Sequence, residues 1–234
     1  MFFVAPLLWA DYNPQAMADL AWSHRDQPGQ TEQAIKIWAD SGPLIPDVQI
    51  RLTKAYGRLY RHAKTSEERV HWADLARASG AKAIDQFPNS SDAYAAYGEA
   101  LGQWARAHTG ISSLKTVRMA VSNLNKAVEL KPDNAYAHML LASFYLHAPR
   151  FVSVGDKAKA LEHARLAAQY GPGYAIDHLV LARVYLDQKK KADAVAELQK
   201  IVRLQPPADA IPETRADQET AAEMLKSLEQ PDEK

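Results

Sequence analysis

The chain contains no cysteine, which excludes disulfides, thiolate nucleophiles, cysteine-ligated zinc and a lipidated cysteine. It carries no excess of charge either. Its 28 Lys and Arg balance 28 Asp and Glu, so no whole-molecule field draws in nucleic acid or an anionic membrane, and a charged partner must be met by a local patch. No uncharged apolar run approaches the roughly 18 residues that a membrane-spanning helix needs. The histidines do not fall into His-Glu-x-x-His, since Glu162-His163 lacks the second histidine. Gly155-Asp156 and Gly171-Pro172-Gly173 lack the Lys-Ser/Thr of a phosphate loop. No Ser, His and Asp arrangement stands out. Catalysis, a metal and a cofactor therefore have no motif behind them, and a non-enzymatic protein is expected.

What is present is enough apolar residue, 47% of 234, to bury a core. The opening stretch MFFVAPLLWA is apolar and ends on a small residue, but no Lys or Arg precedes Arg25. Residues 1–13 read either as the remnant of a secretory signal or as an apolar segment that packs on the domain.

Internal repetition is the strongest signal. Near the C-terminus, Leu181-Ala182-x-x-Tyr185 is followed by Ala194, Leu198, Ile201 and Pro206. The same order recurs as Leu141-Ala142-x-x-Tyr145, Ala160, Ala164, Ala167 and Pro172, and as Tyr97-Gly98-x-x-Leu101, Ala120, Leu124, Ala127 and Pro132. A fainter copy has Tyr56-Gly57-x-x-Tyr60, Ala76, Ala83 and Pro88, and a degenerate one Leu20-Ala21, Ala34, Trp38 and Pro46. The physical content is a helix pair. Small residues on a first helix (A) meet small residues on a second (B), large neighbours fill the flanks, and proline ends the second helix.

This is the spacing of a tetratricopeptide repeat. It predicts an all-α, right-handed solenoid of about five helix pairs over residues 14–211, because stacked pairs bury what one pair cannot. Residues 212–229, with Ala221, Met224, Leu225 and Leu228 at helical spacing, predict a capping helix. Residues 230–234 should fray.

The repeats are uneven. Pro88, Pro132, Pro172 and Pro206 are separated by 44, 40 and 34 residues, where a standard repeat has about 34. The surplus before Pro132 predicts a lengthened helix B starting near Ser112 or Ser113, either of which suits an N-cap. The surplus before Pro172 is HAPRFVSVGD, residues 147–156, where Pro149 stops one helix and Asp156 caps the next. Phe151 and Val152 belong to neither periodic face. They either fold back on the helix ends or meet a partner or another copy of the chain.

Residues 90–206 resemble the TRAP transporter T-component family, and the regulator of microtubule dynamics family has similar irregular repeats. The resemblance is carried by Tyr97-Gly98, Trp104-Ala105, Gly110-Ile111 and Leu114. Ala127-Val128-Glu129-Leu130-Lys131-Pro132 and Ala148-Pro149 followed by Val154-Gly155-Asp156-Lys157-Ala158 extend it. It implies a periplasmic accessory protein that associates with a solute-binding protein and forms a homotrimer. The signal-poor N-terminus leaves the cytoplasm open.

In a tetratricopeptide stack the first helices line the concave face, which implies two candidate surfaces. Arg51, Lys54, Arg58 and Arg61 step by three and four along one face. They form either a cationic stripe for a carboxylate-rich partner or a face paired with acidic neighbours. Tyr136, Met139, Leu146, Ile176, Leu179 and Leu186 make an apolar wall. That wall suits a hydrophobic ligand or a partner helix, unless the capping helix or the N-terminal segment fills it. A scaffold for protein partners is the leading reading, and a carrier or sensor of a hydrophobic small molecule is the alternative. His138 and His178, at equivalent repeat positions, read as structural. The helix-pair assignment is tested by Ala182→Trp, which overpacks the predicted contact and should cost about 1–3 kcal/mol; an unchanged melting temperature would refute that pairing.

Overall fold

A computed structural model of the chain describes residues 13–42, 45, 47–108, 110–149 and 153–229. Among the described residues there are eleven helices. Five pairs follow one another: α1 (Pro14–Ser23) with α2 (Gln30–Ser41), α3 (Val48–His62) with α4 (Ser66–Gln86), α5 (Ser91–Ala107) with α6 (Ile111–Leu130), α7 (Ala135–His147) with α8 (Lys157–Tyr170), and α9 (Ala175–Asp187) with α10 (Lys191–Arg203). A last helix, α11 (Ile211–Glu229), closes the stack. The first helices form one layer, in which α3, α5, α7, α9 and α11 touch in order, and each second helix packs on its own partner and on the next first helix.

Local chemistry explains the boundaries. Helices α4, α6 and α8 end two residues before Pro88, Pro132 and Pro172. The residues preceding those prolines, Phe87, Lys131 and Gly171, have left the helical region, with ψ of 66°, 93° and 49°. Thr65 and Glu68 form a reciprocal capping box at α4. Asp156 caps α8 by accepting from the amides of Ala158 and Lys159. The lengthened α6 starts at Ile111, slightly before the serines expected to cap it. Ser113 instead donates its hydroxyl to the His108 carbonyl, and the N-cap is Gly110 at φ 102°, a conformation that favours glycine.

Small residues set the helix spacing. Ala76, Ala120, Ala142, Ala160, Ala182 and Ala194 are all fully buried. A side chain added at Gly98 would come within 2.6 Å of the Leu124 side chain on the paired helix. Two glycines outside the repeat signature set the contacts between units: Gly80 lies against Tyr97, and Gly102 against the Phe144 ring. The apolar core is a row of clusters. One spans α5 to α11, a second holds the first pair and the start of α3, and two smaller ones bridge them.

Phe151 and Val152 lie outside the described residues. The flanking backbone is tied back: the Ser153 amide donates to the Pro149 carbonyl and the Asp156 amide to the Tyr145 carbonyl. Val154 packs on the large cluster. The interhelix contact at Gly80 can be tested by Gly80→Ala. Its new methyl would sit 2.7 Å from the Tyr97 ring and 3.1 Å from the Tyr97 backbone. Overpacking of about 1–3 kcal/mol should exceed the gain of about 1 kcal/mol in helix propensity, so thermal unfolding should show a net loss of stability.

Candidate functional site: the concave groove

The layer of first helices presents α3, α5, α7, α9 and α11 to one groove, so candidate side chains must come from those faces. On α3 the four basic residues do share a face, but they are not a free cationic stripe. Arg51 donates to Asp19 of α1 at 2.6 Å and Arg61 to Glu99 of α5 at 2.6 Å. Arg58 donates to Glu213 of α11 at 2.9 Å and twice to the carbonyl of Arg25. Lys54 lies over the Tyr136 ring, 5.7 Å from its centroid, and pairs with no carboxylate among the described residues. The paired alternative has a physical cause. Curvature brings acidic side chains of other units within hydrogen-bonding range, and a buried guanidinium such as Arg58 is retained only with such partners.

Glu99 is the centre of the groove. Its carboxylate accepts from Arg61, from the Gln103 amide at 3.1 Å and from the Tyr136 hydroxyl. Burial, then the Glu99 charge, pushes the Tyr136 phenol well above its ordinary range. Gln103 also donates to the Gly57 carbonyl. The close approach at Gly57 therefore admits Gln103 of the next unit, at 3.1 Å from where a Cβ would stand.

The apolar wall is occupied core. Leu179 is 1% exposed and Met139 is buried. Tyr136, Leu146, Ile176 and Leu186 are partly buried in the same cluster, which Met224, Leu225 and Leu228 of α11 complete. Two open clefts among the described residues lie in the N-terminal half and include none of these six residues. One, of about 400 Å³, is lined by Ile45, Val48, Gln49 and Phe87 among others. The other, of about 280 Å³, opens between Trp22, Trp38, Ile50, Arg51, Lys54 and Asp92. It sets the partly exposed Trp22 ring, 5.6 Å from the buried Trp38, beside the α3 cation that forms no ion pair among the described residues, with Asp47 and Asp92 also in the lining. Sequence reading missed it because Trp22 and Trp38 come from the degenerate first unit.

The two repeat-position histidines hold helices together. The Nε2 of His138 meets the Pro132 carbonyl at 2.9 Å, and that of His178 meets the Pro172 carbonyl at 3.2 Å. Each Nδ1 faces the paired second helix: His163 at 2.8 Å in one unit, Glu197 at 2.7 Å in the next. A carbonyl can only accept, so His138 donates through Nε2. Among the described residues no group of three or more His, Asp and Glu is placed to hold a metal, and no helix is long and apolar enough to cross a membrane.

No protein-family model and no curated protein matches the chain. Solved structures do. TTC0263, a thermophilic TPR protein in Thermus thermophilus, superposes with a TM-score of 0.69 at 17% identity, over 90% of this chain and 99% of that one. The chain has the tetratricopeptide fold. MamA is matched at 19% identity over 90% of this chain and 94% of that one, with a TM-score of 0.45.

Within this fold, two acidic side chains are held away from their ordinary charge state. Asp177, 2% exposed, has its carboxyl pushed up to about 7 by burial, and Asp217 adds to this against the opposing His178. Burial likewise raises Asp217 to about 6, with Arg183 opposing. The folded Asp177 binds its proton more tightly than the unfolded chain, so its contribution is present at low pH and lost as pH rises from about 4 through 7. His163 runs the other way, its imidazole lowered by burial and His138. Replacing Asp177 with Asn removes the first term alone: Asp177→Asn should melt above the parent at pH 8 and with it at pH 4, as read by calorimetry at both values.

Proposed function

We propose that the protein is a non-catalytic interaction scaffold that receives a segment of a protein partner in the concave groove, at the cleft beside Lys54. The observation that carries this reading is that cleft. Trp22 offers a partly exposed aromatic edge, and Lys54 offers a cation that forms no ion pair among the described residues, the mixture of anchor and charge that interfaces favour. An extended or helical acidic segment suits it. The carrier reading has no comparable support, because the wall it needs is filled by the chain's own core.

The resemblance of residues 90–206 supports a finer proposal: an accessory component of a TRAP-type uptake system in the periplasm, bound to a solute-binding protein, and a homotrimer. The long α6 and the loop before Asp156 are the features of that resemblance. In that assembly Phe151 and Val152 would make the contact to a partner or a second copy.

Native mass measurement and affinity capture test both levels. The expected result is a trimer that retains a solute-binding protein from a periplasmic extract, with Lys54→Glu weakening retention by about tenfold, or about 1.4 kcal/mol. A monomer that retains a different protein would remove the transporter reading. Undiminished binding by folded Lys54→Glu would remove the cleft.

A further inference from the structure

The two ends of the solenoid are joined by a polar clasp centred on one carboxylate. Glu213, in the first turn of α11, accepts from Nε of Arg25 at 2.9 Å and from its Nη2 at 2.5 Å, and from Nη1 of Arg58 at 2.9 Å. Arg25 lies in the turn between α1 and α2, 188 residues away in sequence. Nη2 of Arg25 also donates to the Asp209 carbonyl at 2.5 Å. Beyond this polar clasp, α11 packs on α9 and α10, not as a packed pair with α1, α2 or α3.

The receiving side is built without Glu213. Arg25 donates to the Trp22 carbonyl at 3.0 Å and stacks over the Trp22 ring, its guanidinium carbon 5.0 Å from the centroid. Arg58 is fixed by two hydrogen bonds to the Arg25 carbonyl, at 3.2 and 2.9 Å. Both guanidiniums are sequestered, their side chains 5% and 10% exposed, whereas the Glu213 side chain keeps 36% exposure. A rigid, desolvated pair of cations therefore holds an occupant that solvent can reach. The occupant is also necessary. Two adjacent buried guanidiniums repel each other, and burial already lowers Arg58, with the Glu213 charge opposing it. Loss of Glu213 leaves two adjacent guanidiniums without their carboxylate, which favours a replacement anion.

We propose that Arg25 and Arg58 form a carboxylate-receiving site which the chain's own α11 occupies as an intramolecular ligand, and that an acidic segment of a protein partner enters the groove by displacing Glu213. The planar forks of two arginines select a carboxylate with bidentate geometry. Asp217, one turn along α11, carries a second carboxyl that the charges of Arg183, Glu213 and Arg61 all influence. The displaced surface is thus an acidic helix face, which defines what a competitor must present. Exchange opens the ring of units and couples partner entry to separation of α11 from the first pair. This proposal rests on the protein-interaction reading but not on the Lys54 cleft.

The absence of cysteine makes the test direct. Nitroxide labels at Gln27→Cys and Ala222→Cys, both exposed, report the distance between the first turn and α11 in the full chain. A single narrow distribution is expected for the parent, and a broader, longer one for Glu213→Gln. The probe for exchange is a fluorescein-labelled helical peptide with two Glu in its first turn, beside its Gln counterpart. The Glu peptide should bind Glu213→Gln about tenfold more tightly than the parent, because the resident occupant no longer competes; the Gln peptide should not discriminate. An unchanged distance distribution overturns the latch. Widened distances without that gain in affinity overturn the exchange. Either result leaves the partner-capture experiment to decide the scaffold reading separately.

Discussion

The constraint on which the structure depends is the close approach of helices at positions that tolerate no side chain. Gly98 admits Leu124, Gly80 admits Tyr97 and Gly102 admits the Phe144 ring, each at a distance where an added Cβ would clash. The first of these fixes the spacing inside a pair, and the other two fix the step from one unit to the next. A solenoid has no global core to average over its errors, since each unit is held by its neighbours. A small change at one step is therefore carried to the far end, and the position of α11 relative to α1 is the sum of those steps.

That accumulated geometry decides the electrostatics of the groove. Arg58 and Glu213 are 155 residues apart and Arg61 and Glu99 are 38 apart, yet both pairs are within hydrogen-bonding distance because the layer of first helices curves. Exposed ion pairs contribute about 0–1 kcal/mol. The Arg58 pair is unequal, its guanidinium 10% exposed and the Glu213 carboxylate 36%, so it contributes more than an exposed pair because loss of the carboxylate strands a buried cation. Burial raises the Glu213 carboxyl, but the hydrogen bonds and charge of Arg25, with Arg58 behind them, win and hold it below its ordinary range. The groove is thus kept in shape by charge as much as by apolar contact.

What could be read from the sequence follows this division. The helix pairs, their closing prolines and the cap of α8 at Asp156 were legible because each depends on residues within one repeat. Ala142, Ala160, Ala182 and Ala194 announce their contacts by spacing alone, and all four are fully buried. The role of His138 and His178 was legible for the same reason. Gly80 and Gly102 were not, because they lie outside the repeat signature and their partners, Tyr97 and Phe144, lie in the next unit. The cationic face of α3 was legible as a face, but its occupancy was not. Nothing local to Arg58 points to Glu213.

The same limit explains why the apolar wall stayed open between two readings. Residues such as Ile176 and Leu186 have the spacing of a ligand-binding stripe and also that of a stripe covered by another helix. Period alone cannot separate them, since both bury the same atoms. The choice is made by α11, whose Met224, Leu225 and Leu228 join the cluster, while its first turn places Glu213 between two arginines of the opposite end. One helix thus packs apolar residues on the α9 part of the wall and sets a carboxylate against the cations. A partner that enters the groove must therefore reproduce the acidic part of that match, because the apolar part is already covered by packing on α9 and α10, and only the carboxylate is held by contacts that water can reach.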